Sequence, residues 1–169
     1  MNIGMIGMGF VGGNTAKVLE KEHEILAYDK FKEPYTNPEV LRHAEVVFLS
    51  VPTPMQGGGK IDYSPLHNSL ETLMDVAEED PLVVVRSTAV SGTTDDLDRK
   101  YPFDFAFNPE FLREKTAYQD MQNTDRVVIG ANDSDIFEKV KGVYYPIFPE
   151  ADYIHVSTKE AEMVKYLAN

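Results

Sequence analysis

Short apolar runs alternate with amphipathic stretches along most of this chain. Seven runs have the composition of strands and cover Asn2–Ile6, Glu24–Tyr28, Glu45–Val51, Pro81–Arg86, Phe103–Phe107, Arg126–Gly130 and Tyr153–Val156. Helical patterns lie between them, at Glu39–His43, Asp62–Glu79, Thr93–Lys100, Asp133–Gly142 and from Thr158 onward. Near-continuous apolar strands separated by helices are typical of parallel sheets that are covered on both faces. The pattern therefore predicts an α/β fold with a doubly wound, mostly parallel sheet and helices on both of its faces.

The first predicted strand leads directly into a glycine-rich turn and then into a helix. The turn reads Gly7-Met8-Gly9-Phe10-Val11-Gly12, which is a GxGxxG motif. In a Rossmann-like fold the first glycine allows the tight turn, the second lets a pyrophosphate approach the backbone, and the third lets the helix pack on the strand. The start of the helix offers N–H groups and a partial positive charge to the phosphates. An ordinary glycine-rich turn is the alternative, but the flanking strand and helix favour a dinucleotide site.

The second predicted strand ends at Asp29, where this fold places an acid for the ribose. A carboxylate there accepts hydrogen bonds from both ribose hydroxyls and repels the 2′-phosphate of NADP. Asp29 therefore predicts NAD as the cofactor. Lys30 and Lys32 lie close by and weaken that preference, since a lysine attracts a phosphate.

Composition narrows the remaining classes of function. The chain has 169 residues, enough for one well-buried domain, and a formal net charge of -12, which argues against nonspecific binding to nucleic acid or to an anionic membrane. It has no cysteine, so it has no disulfide, thiolate metal site or thiol nucleophile, and its four histidines show no metal-ligand spacing. We find no signal peptide and no apolar run long enough to cross a bilayer, and we therefore expect a cytoplasmic protein.

Two further segments follow predicted strands on the side of the sheet where the cofactor is expected. The first is Val51-Pro52-Thr53-Pro54, in which two prolines end the third strand and stiffen the backbone. The second begins at Ser87-Thr88 and contains hydroxyls that suit the nicotinamide half of the cofactor or a held water molecule. A Ser/Thr-rich turn that caps the next helix explains the second segment equally well.

Ionisable side chains gather in two later segments. Asn108-Pro109-Glu110 has the features of a helix start, and in such a helix Glu110 and Glu114 share a face and raise at least one carboxyl pKa, as a general base requires. In the C-terminal segment Lys165 and Asn169 are also four residues apart and are able to donate to an oxyanion. Taken singly, an acidic first turn and an exposed helix face are the simpler interpretations.

Taken together, these segments resemble the N-terminal NAD-binding domain of the UDP-glucose/GDP-mannose dehydrogenase family. The resemblance runs from Asn2 to Asn169. The glycine motif is its least specific mark, and the longest matches are Asn108-Pro109-Glu110-Phe111-Leu112-Arg113-Glu114 and the C-terminal segment from Ala161 to Asn169. Further marks are Val51-Pro52-Thr53-Pro54, Ser87-Thr88 followed by Gly92-Thr93-Thr94, and Asp125-Arg126-Val127-Val128-Ile129-Gly130.

The resemblance implies an activity and a role for each matching residue. Members oxidise the C6 alcohol of a nucleotide sugar twice with two NAD+, through a cysteine thioester that water hydrolyses. By this resemblance Thr88 positions the water, Glu114 is the general base and Glu110 assists in the substrate pocket. Lys165 and Asn169 stabilise oxyanions and bind substrate. The implied NAD contacts are Gly7, Met8, Gly9, Phe10, Val11, Gly12, Asp29, Lys30, Val51, Pro52, Thr53, Pro54, Ser87, Thr88 and Glu114.

The chain departs from the family in what it lacks. The family's cysteine lies in a glycine-rich segment of the FGGSCxxKD type beyond the last residue here, as does the domain that grips most of the UDP. We therefore expect residues 1–156 to form the NAD-binding domain and residues 157–169 to start a long connecting helix, with the cysteine and UDP-binding domains absent. The predicted function is the NAD-binding half of a nucleotide-sugar 6-dehydrogenase, with UDP-glucose as the expected substrate, and alone it is expected to be inactive. The expected protein partner is a second copy of the chain in a homodimer or a complementary C-terminal domain. A non-catalytic NAD-binding module that needs a partner chain, or a small hydroxyacid dehydrogenase, are the alternatives.

Overall fold

The computed structural model describes residues 1–113 and 115–168, and for Ala168 only the backbone. Seven strands are described: β1 (Asn2–Ile6), β2 (Glu24–Tyr28), β3 (Val46–Leu49), β4 (Leu82–Val85), β5 (Phe105–Phe107), β6 (Arg126–Gly130) and β7 (Asp152–Val156). The α-helices in the same residues are α1 (Phe10–Leu19), α2 (Ser64–Val76), α3 (Thr93–Lys100), α4 (Ala117–Gln122), α5 (Ser134–Tyr144) and α6 (Thr158–Ala168), and a 3-10 helix covers Pro38–Leu41. The predicted alternation of strands and helices is confirmed.

All seven strands lie in one sheet in the order β2-β1-β3-β4-β5-β6-β7. Every neighbouring pair is parallel except β5 and β6, which meet only at Phe107 and Gly130. The chain moves outward from β1 to β2 and then returns to the other side of β1 with β3. The carboxyl ends of β1 and β3 therefore flank a topological switch point, the place where ligands bind in open α/β sheets.

Alternate residues of each central strand feed two separate cores, because successive side chains point to opposite faces of a sheet. Ile3, Phe48 and Val84 pack on one face with α1 and α5, whereas Ile6, Leu49 and Val85 pack on the other with α2 and α3. Both faces of the sheet are thus covered by helices, as the fold prediction required. This arrangement leaves the carboxyl edge of β1, β3 and β4 for the site.

One predicted helix is wrong. Asn108 to Arg113 form no helix, and the short helix in this part of the chain, α4, begins only at Ala117. The Asn108 side chain does not cap a helix, because its amide donates to the Val128 carbonyl (2.7 Å) and its oxygen accepts from the Tyr144 hydroxyl (2.7 Å). Glu110 is therefore not in a helix, so the helical spacing that we predicted between Glu110 and Glu114 does not hold. Glu114 itself lies outside the described residues.

Helix α6 begins with the capping box that the sequence spacing Ser157-x-x-Glu160 predicts. The Glu160 carboxylate accepts from the Ser157 N–H and hydroxyl, both at 2.8 Å, and the Glu160 N–H donates to the Ser157 hydroxyl at 3.3 Å. These bonds satisfy backbone donors that a helix start leaves without partners. Over the described part of the chain, none of the helices is long and apolar enough to pass through a bilayer.

The contact between Gly12 and Gly7 gives a stability prediction. A Cβ added at Gly12 would lie 1.9 Å from the Gly7 carbonyl oxygen, whereas one at Gly13 meets nothing closer than 3.6 Å. We expect Gly12→Ala to lower the free energy of unfolding by about 1–3 kcal/mol, because the backbone has to move. Gly13→Ala, the neighbouring control, is expected to raise it by about 0.4–1 kcal/mol through lower unfolded-state entropy. Urea denaturation measures both, and equal stabilities for the two variants would contradict the close approach.

Candidate functional site

The glycine turn joins β1 to α1 in the geometry that the motif predicts. Gly7 has a φ of +90° and its N–H donates to the Tyr28 carbonyl at 2.9 Å, while a Cβ there would lie 2.4 Å from the Ser50 carbonyl oxygen. Gly9 precedes the first helical residue, makes no side-chain cap, and has only open space within 4 Å of a Cβ position. The first N–H groups of a helix have no intrahelical acceptor. The turn therefore presents an uncovered cradle of N–H groups that fits a pyrophosphate.

Asp29 lies against this turn. Its carboxylate accepts from the Met8 N–H at 2.7 Å and from the Phe31 N–H at 3.0 Å. Each carboxylate oxygen still has a lone pair for a ribose hydroxyl. A cavity of about 200 Å³ opens beside Asp29, and its walls include Gly7, Val51 and Pro52. These residues fit the adenosine half of a dinucleotide.

The two neighbouring lysines differ in position. The Lys32 ammonium donates to the Met8 carbonyl at 2.7 Å, so it lies at the glycine turn. The Lys30 ammonium lies 5.6 Å from the centre of the exposed Phe31 ring and also borders the cavity beside Asp29. The sequence carries no signal for this difference, because it depends on how the chain bends after β2.

The segments after β3 and β4 are tied together at the carboxyl edge. The Ser87 hydroxyl donates to the Val51 carbonyl at 2.7 Å, and the Thr53 hydroxyl donates to the Thr88 carbonyl at 2.8 Å. Ser87 is buried, whereas the Thr88 side chain is exposed. Ser87 therefore has a structural contact, whereas the Thr88 hydroxyl, at the edge where the cofactor is expected, has no partner among the described residues.

The predicted lysine and one predicted acid do meet. Lys165 is 4% exposed, and its ammonium donates to the Arg86 carbonyl at 2.6 Å and lies 3.3 Å from the Glu110 carboxylate. The other Glu110 oxygen accepts from the Leu112 N–H at 2.9 Å. Burial lowers the pKa of Lys165, while the Glu110 charge acts in the opposite direction and the Arg86 charge lowers it further. An ammonium has three donors, and only these two oxygens are partners of Lys165 among the described residues, so the third donor has no partner there.

Arg86 was missed by the sequence analysis although it precedes Ser87-Thr88. It is 2% exposed, and its guanidinium donates to the Tyr144 hydroxyl at 2.9 Å, which in turn donates to Asn108. Its Nε has no partner among the described residues. Burial raises the pKa of Tyr144, although the Arg86 charge opposes that shift. These contacts line a cavity of about 600 Å³ that also borders Glu110 and Val164.

Glu162 was missed as well. It is fully buried, and its carboxylate accepts from the Gly92 N–H, the Thr94 N–H and the Thr94 hydroxyl at 2.5, 2.7 and 2.6 Å. The local sequence around Glu162 gave no sign of this role. Its partners, Gly92 and Thr94, lie 70 and 68 residues earlier in the chain, so only the folded structure shows the contact.

Two predicted catalytic residues, Glu114 and Asn169, lie outside the described residues. Among residues 1–113 and 115–168, no three or more His, Cys, Asp or Glu side chains form a group that could hold a metal. The described site thus consists of the glycine cradle and Asp29 at the switch point, with Thr88, Glu110 and Lys165 farther along the same edge. This combination defines a dinucleotide-binding domain of the dehydrogenase class.

Comparison with known proteins identifies the family. Residues 29–148 match the UDP-glucose/GDP-mannose dehydrogenase family, NAD binding domain. The chain is 28% identical over 159 residues to UDP-glucose 6-dehydrogenase of Rickettsia conorii, a match that covers 91% of this chain and 37% of that protein. The chain therefore belongs to the UDP-glucose/GDP-mannose dehydrogenase family and comprises its NAD-binding domain, as the motif resemblance indicated.

Solved structures agree with that assignment. The ternary complex of GDP-mannose dehydrogenase from Pseudomonas aeruginosa superposes with a TM-score of 0.84 at 26% identity, covering 100% of this chain and 49% of that one. UDP-glucose dehydrogenase from Pyrobaculum islandicum gives a TM-score of 0.83 at 25% identity, covering 99% and 48%. The chain thus spans about half the length of these enzymes. The fold is confirmed, and NAD is the cofactor of the family domain that the chain matches.

The Lys165 environment gives a titration prediction. We expect the ε-methylene NMR signal of Lys165, assigned through its loss in Lys165→Arg, to titrate at lower pH than the exposed lysines, which are the internal reference. Glu110→Gln removes the charge that opposes the shift and is expected to lower the pKa of Lys165 further. A folded pKa below the unfolded one also means that this group's contribution to stability increases as pH rises between the two values. A Lys165 signal that titrates with the exposed lysines would contradict the buried position.

Proposed function

We propose that this chain is the NAD-binding half of a nucleotide-sugar 6-dehydrogenase, of the class that converts UDP-glucose and two NAD+ to UDP-glucuronate. The observation that carries the proposal is the uncovered Gly9 cradle on the same sheet edge as the buried Lys165–Glu110 pair. One ligand lying along this edge would have its phosphates at the helix start and its reactive ring near an ammonium and a carboxylate. In this proposal residues 1–156 form the cofactor domain and residues 157–169 start a connecting helix.

The side chains take the following roles in the proposed reaction. NAD+, when bound, accepts the hydride from the C6 carbon of the sugar. Asp29 holds the adenosine ribose, and the residues of the Gly7–Gly12 turn hold the pyrophosphate. Lys165 uses its remaining donor for a developing oxyanion, because a buried ammonium stabilises negative charge strongly in a medium of low dielectric constant.

The roles of the other proposed residues follow from their place along the edge. Thr88 offers its exposed hydroxyl to a water molecule or to the nicotinamide half, and Glu110 orients Lys165 beside the substrate. Val51, Pro52, Thr53, Pro54, Ser87 and Lys30 complete the proposed cofactor contacts. Glu114 as the general base and Asn169 as a second oxyanion donor remain proposals that rest on the family resemblance.

The chain alone is expected to bind NAD and to form almost no product. It contains no cysteine, so it offers no thiol for the covalent intermediate of a two-step oxidation. Loss of a covalent nucleophile removes orders of magnitude of rate. The alternative is a non-catalytic NAD module that acts with a partner chain, and it is favoured by the exposed apolar side chains of α6, where Tyr166 is 52% and Leu167 82% exposed.

Cofactor binding tests the glycine cradle. Gly9→Ala places a methyl group where the pyrophosphate would approach the backbone, and we expect NADH affinity, measured by fluorescence titration, to fall at least about tenfold. The free energy of unfolding is expected to stay within about 0.5 kcal/mol, because the added Cβ meets nothing within 4 Å. Gly57→Ala, a glycine with equally open surroundings in a surface loop, is the control and should bind like the wild type. Full NADH affinity in Gly9→Ala would contradict the proposed phosphate site.

Turnover tests the substrate and the missing thiol. With UDP-glucose and NAD+ the lone chain is expected to give no increase in NADH absorbance above a blank without sugar. Addition of a separately expressed cysteine-containing domain from a family member should restore NADH formation if the partner alternative holds. Clear turnover by the lone chain would refute the account of the missing nucleophile, and failure of the wild type to bind NADH would refute the proposed function altogether.

A further inference from the structure

The residues from Arg86 to Thr94 form a loop, here called the β4–α3 loop, that α6 contacts at both ends. At one end the Lys165 ammonium donates to the Arg86 carbonyl at 2.6 Å. At the other end the Glu162 carboxylate accepts from the Gly92 and Thr94 N–H groups at 2.5 and 2.7 Å. Residues three apart on a helix share a face, so one side of α6 holds both ends of the loop with two buried, opposite charges.

The Glu162 contact is stronger than an ordinary packing contact. A buried carboxylate is costly unless hydrogen bonds replace its water, and here three donors from the start of α3 do so. The partial positive charge at the start of a helix adds to the attraction. Gly92 has a φ of +96°, so its N–H is held in a left-handed turn that directs it at the carboxylate. These bonds fix the position of the loop relative to α6.

The middle of the loop carries the hydroxyl that the proposed function places next to the cofactor. Thr88 is exposed, and its carbonyl accepts from the Thr53 hydroxyl at 2.8 Å. On either side of it the Ser87 hydroxyl donates to the Val51 carbonyl at 2.7 Å, Ala89 is buried in the core, and the Val90 N–H donates to the Tyr63 hydroxyl at 2.9 Å. Among the described residues the Thr88 hydroxyl has no hydrogen-bond partner. Its position is therefore set by these neighbouring contacts together with the anchors at the two ends of the loop.

We propose that Glu162 is a positioning residue that sets the β4–α3 loop, and with it Thr88, against the nicotinamide half of NAD. The inference rests on the proposed function, because it assumes that NAD lies along the edge from Gly9 toward Lys165. It adds that the two halves of NAD are held by different elements. The adenosine half contacts Asp29 and the turn after β1, whereas binding of the nicotinamide half depends on Glu162 in α6. The two halves of the cofactor should therefore respond differently to the loss of this carboxylate.

The experiment compares two ligands on Glu162→Gln. NADH carries both halves, and ADP-ribose lacks only the nicotinamide, so isothermal titration with each separates the two contributions. The glutamine keeps one acceptor but turns an NH₂ group toward backbone donors, which leaves buried polar groups without partners. We expect NADH affinity to fall about tenfold, in line with the cost of one such group, and ADP-ribose affinity to stay within about twofold of the wild type.

A matched control lies two residues away on the same helix. Glu160→Gln makes the same chemical change at an exposed carboxylate whose partner is Ser157, outside the β4–α3 loop. It is expected to leave the ratio of the two affinities unchanged. A second variant, Thr94→Val, removes only the hydroxyl donor to Glu162 and keeps the shape of the side chain. It should lower NADH affinity by a smaller factor and leave ADP-ribose affinity unchanged. If circular dichroism shows that Glu162→Gln is unfolded, Thr94→Val provides the test of the inference instead.

The outcomes distinguish this inference from the proposed function. A wild-type chain that binds neither ligand would overturn the proposed function. If the wild-type chain binds both ligands, and Glu162→Gln either weakens NADH and ADP-ribose equally or weakens neither, only the positioning role would be overturned. The same holds if Glu160→Gln lowers NADH affinity relative to ADP-ribose affinity as much as Glu162→Gln does. Selective loss of NADH affinity in Glu162→Gln or Thr94→Val supports it, because a general loss of stability would weaken both ligands together.

Discussion

The close approach of α1 to the end of β1 is the constraint on which the rest of the site depends. The Gly7 carbonyl oxygen lies 1.9 Å from where a Gly12 Cβ would be, and Gly7 itself leaves no room for a side chain beside the Ser50 carbonyl. Only glycine permits this packing, so the helix start lies directly at the carboxyl ends of β1 and β3. The cradle for a pyrophosphate is therefore a consequence of backbone packing and is present before any ligand binds.

The second half of the site is held by buried polar groups that depend on one another. Lys165 donates to the Arg86 carbonyl, the Arg86 guanidinium donates to Tyr144, and Tyr144 donates to Asn108. Glu162 adds an independent anchor at the start of α3. Buried networks of this kind stabilise a single arrangement, because a group that loses its partner remains desolvated. The side chains proposed to meet the cofactor and substrate thus lie within or beside this buried network, which holds them in place.

The wrong helix prediction at Asn108 shows the limit of predicting backbone structure from local sequence propensity. Asparagine followed by proline and glutamate is a good helix start by local propensity. In the structure Asn108 bonds Val128 and Tyr144, and the Glu110 carboxylate lies near Lys165, so both side chains serve tertiary contacts. Leaving a buried amide without partners costs more free energy than losing a cap at the surface, so the backbone adopts the conformation that satisfies Asn108. Local propensity could not have revealed this, because the partners are far away in sequence.

The sequence by itself determined the strands, most of the helices, the glycine turn with Asp29 and the capping box of α6, because each rests on hydrophobic period or on residues within a few positions of one another. Family motifs also brought Thr88, Glu110 and Lys165 forward as candidates. Only the tertiary structure decided that Arg86 and Glu162 are buried anchors, that Lys32 lies at the glycine turn, and that Lys165 meets Glu110. Those contacts join segments separated by 24 to 79 residues, and they depend on sheet order and helix packing, which no local pattern encodes.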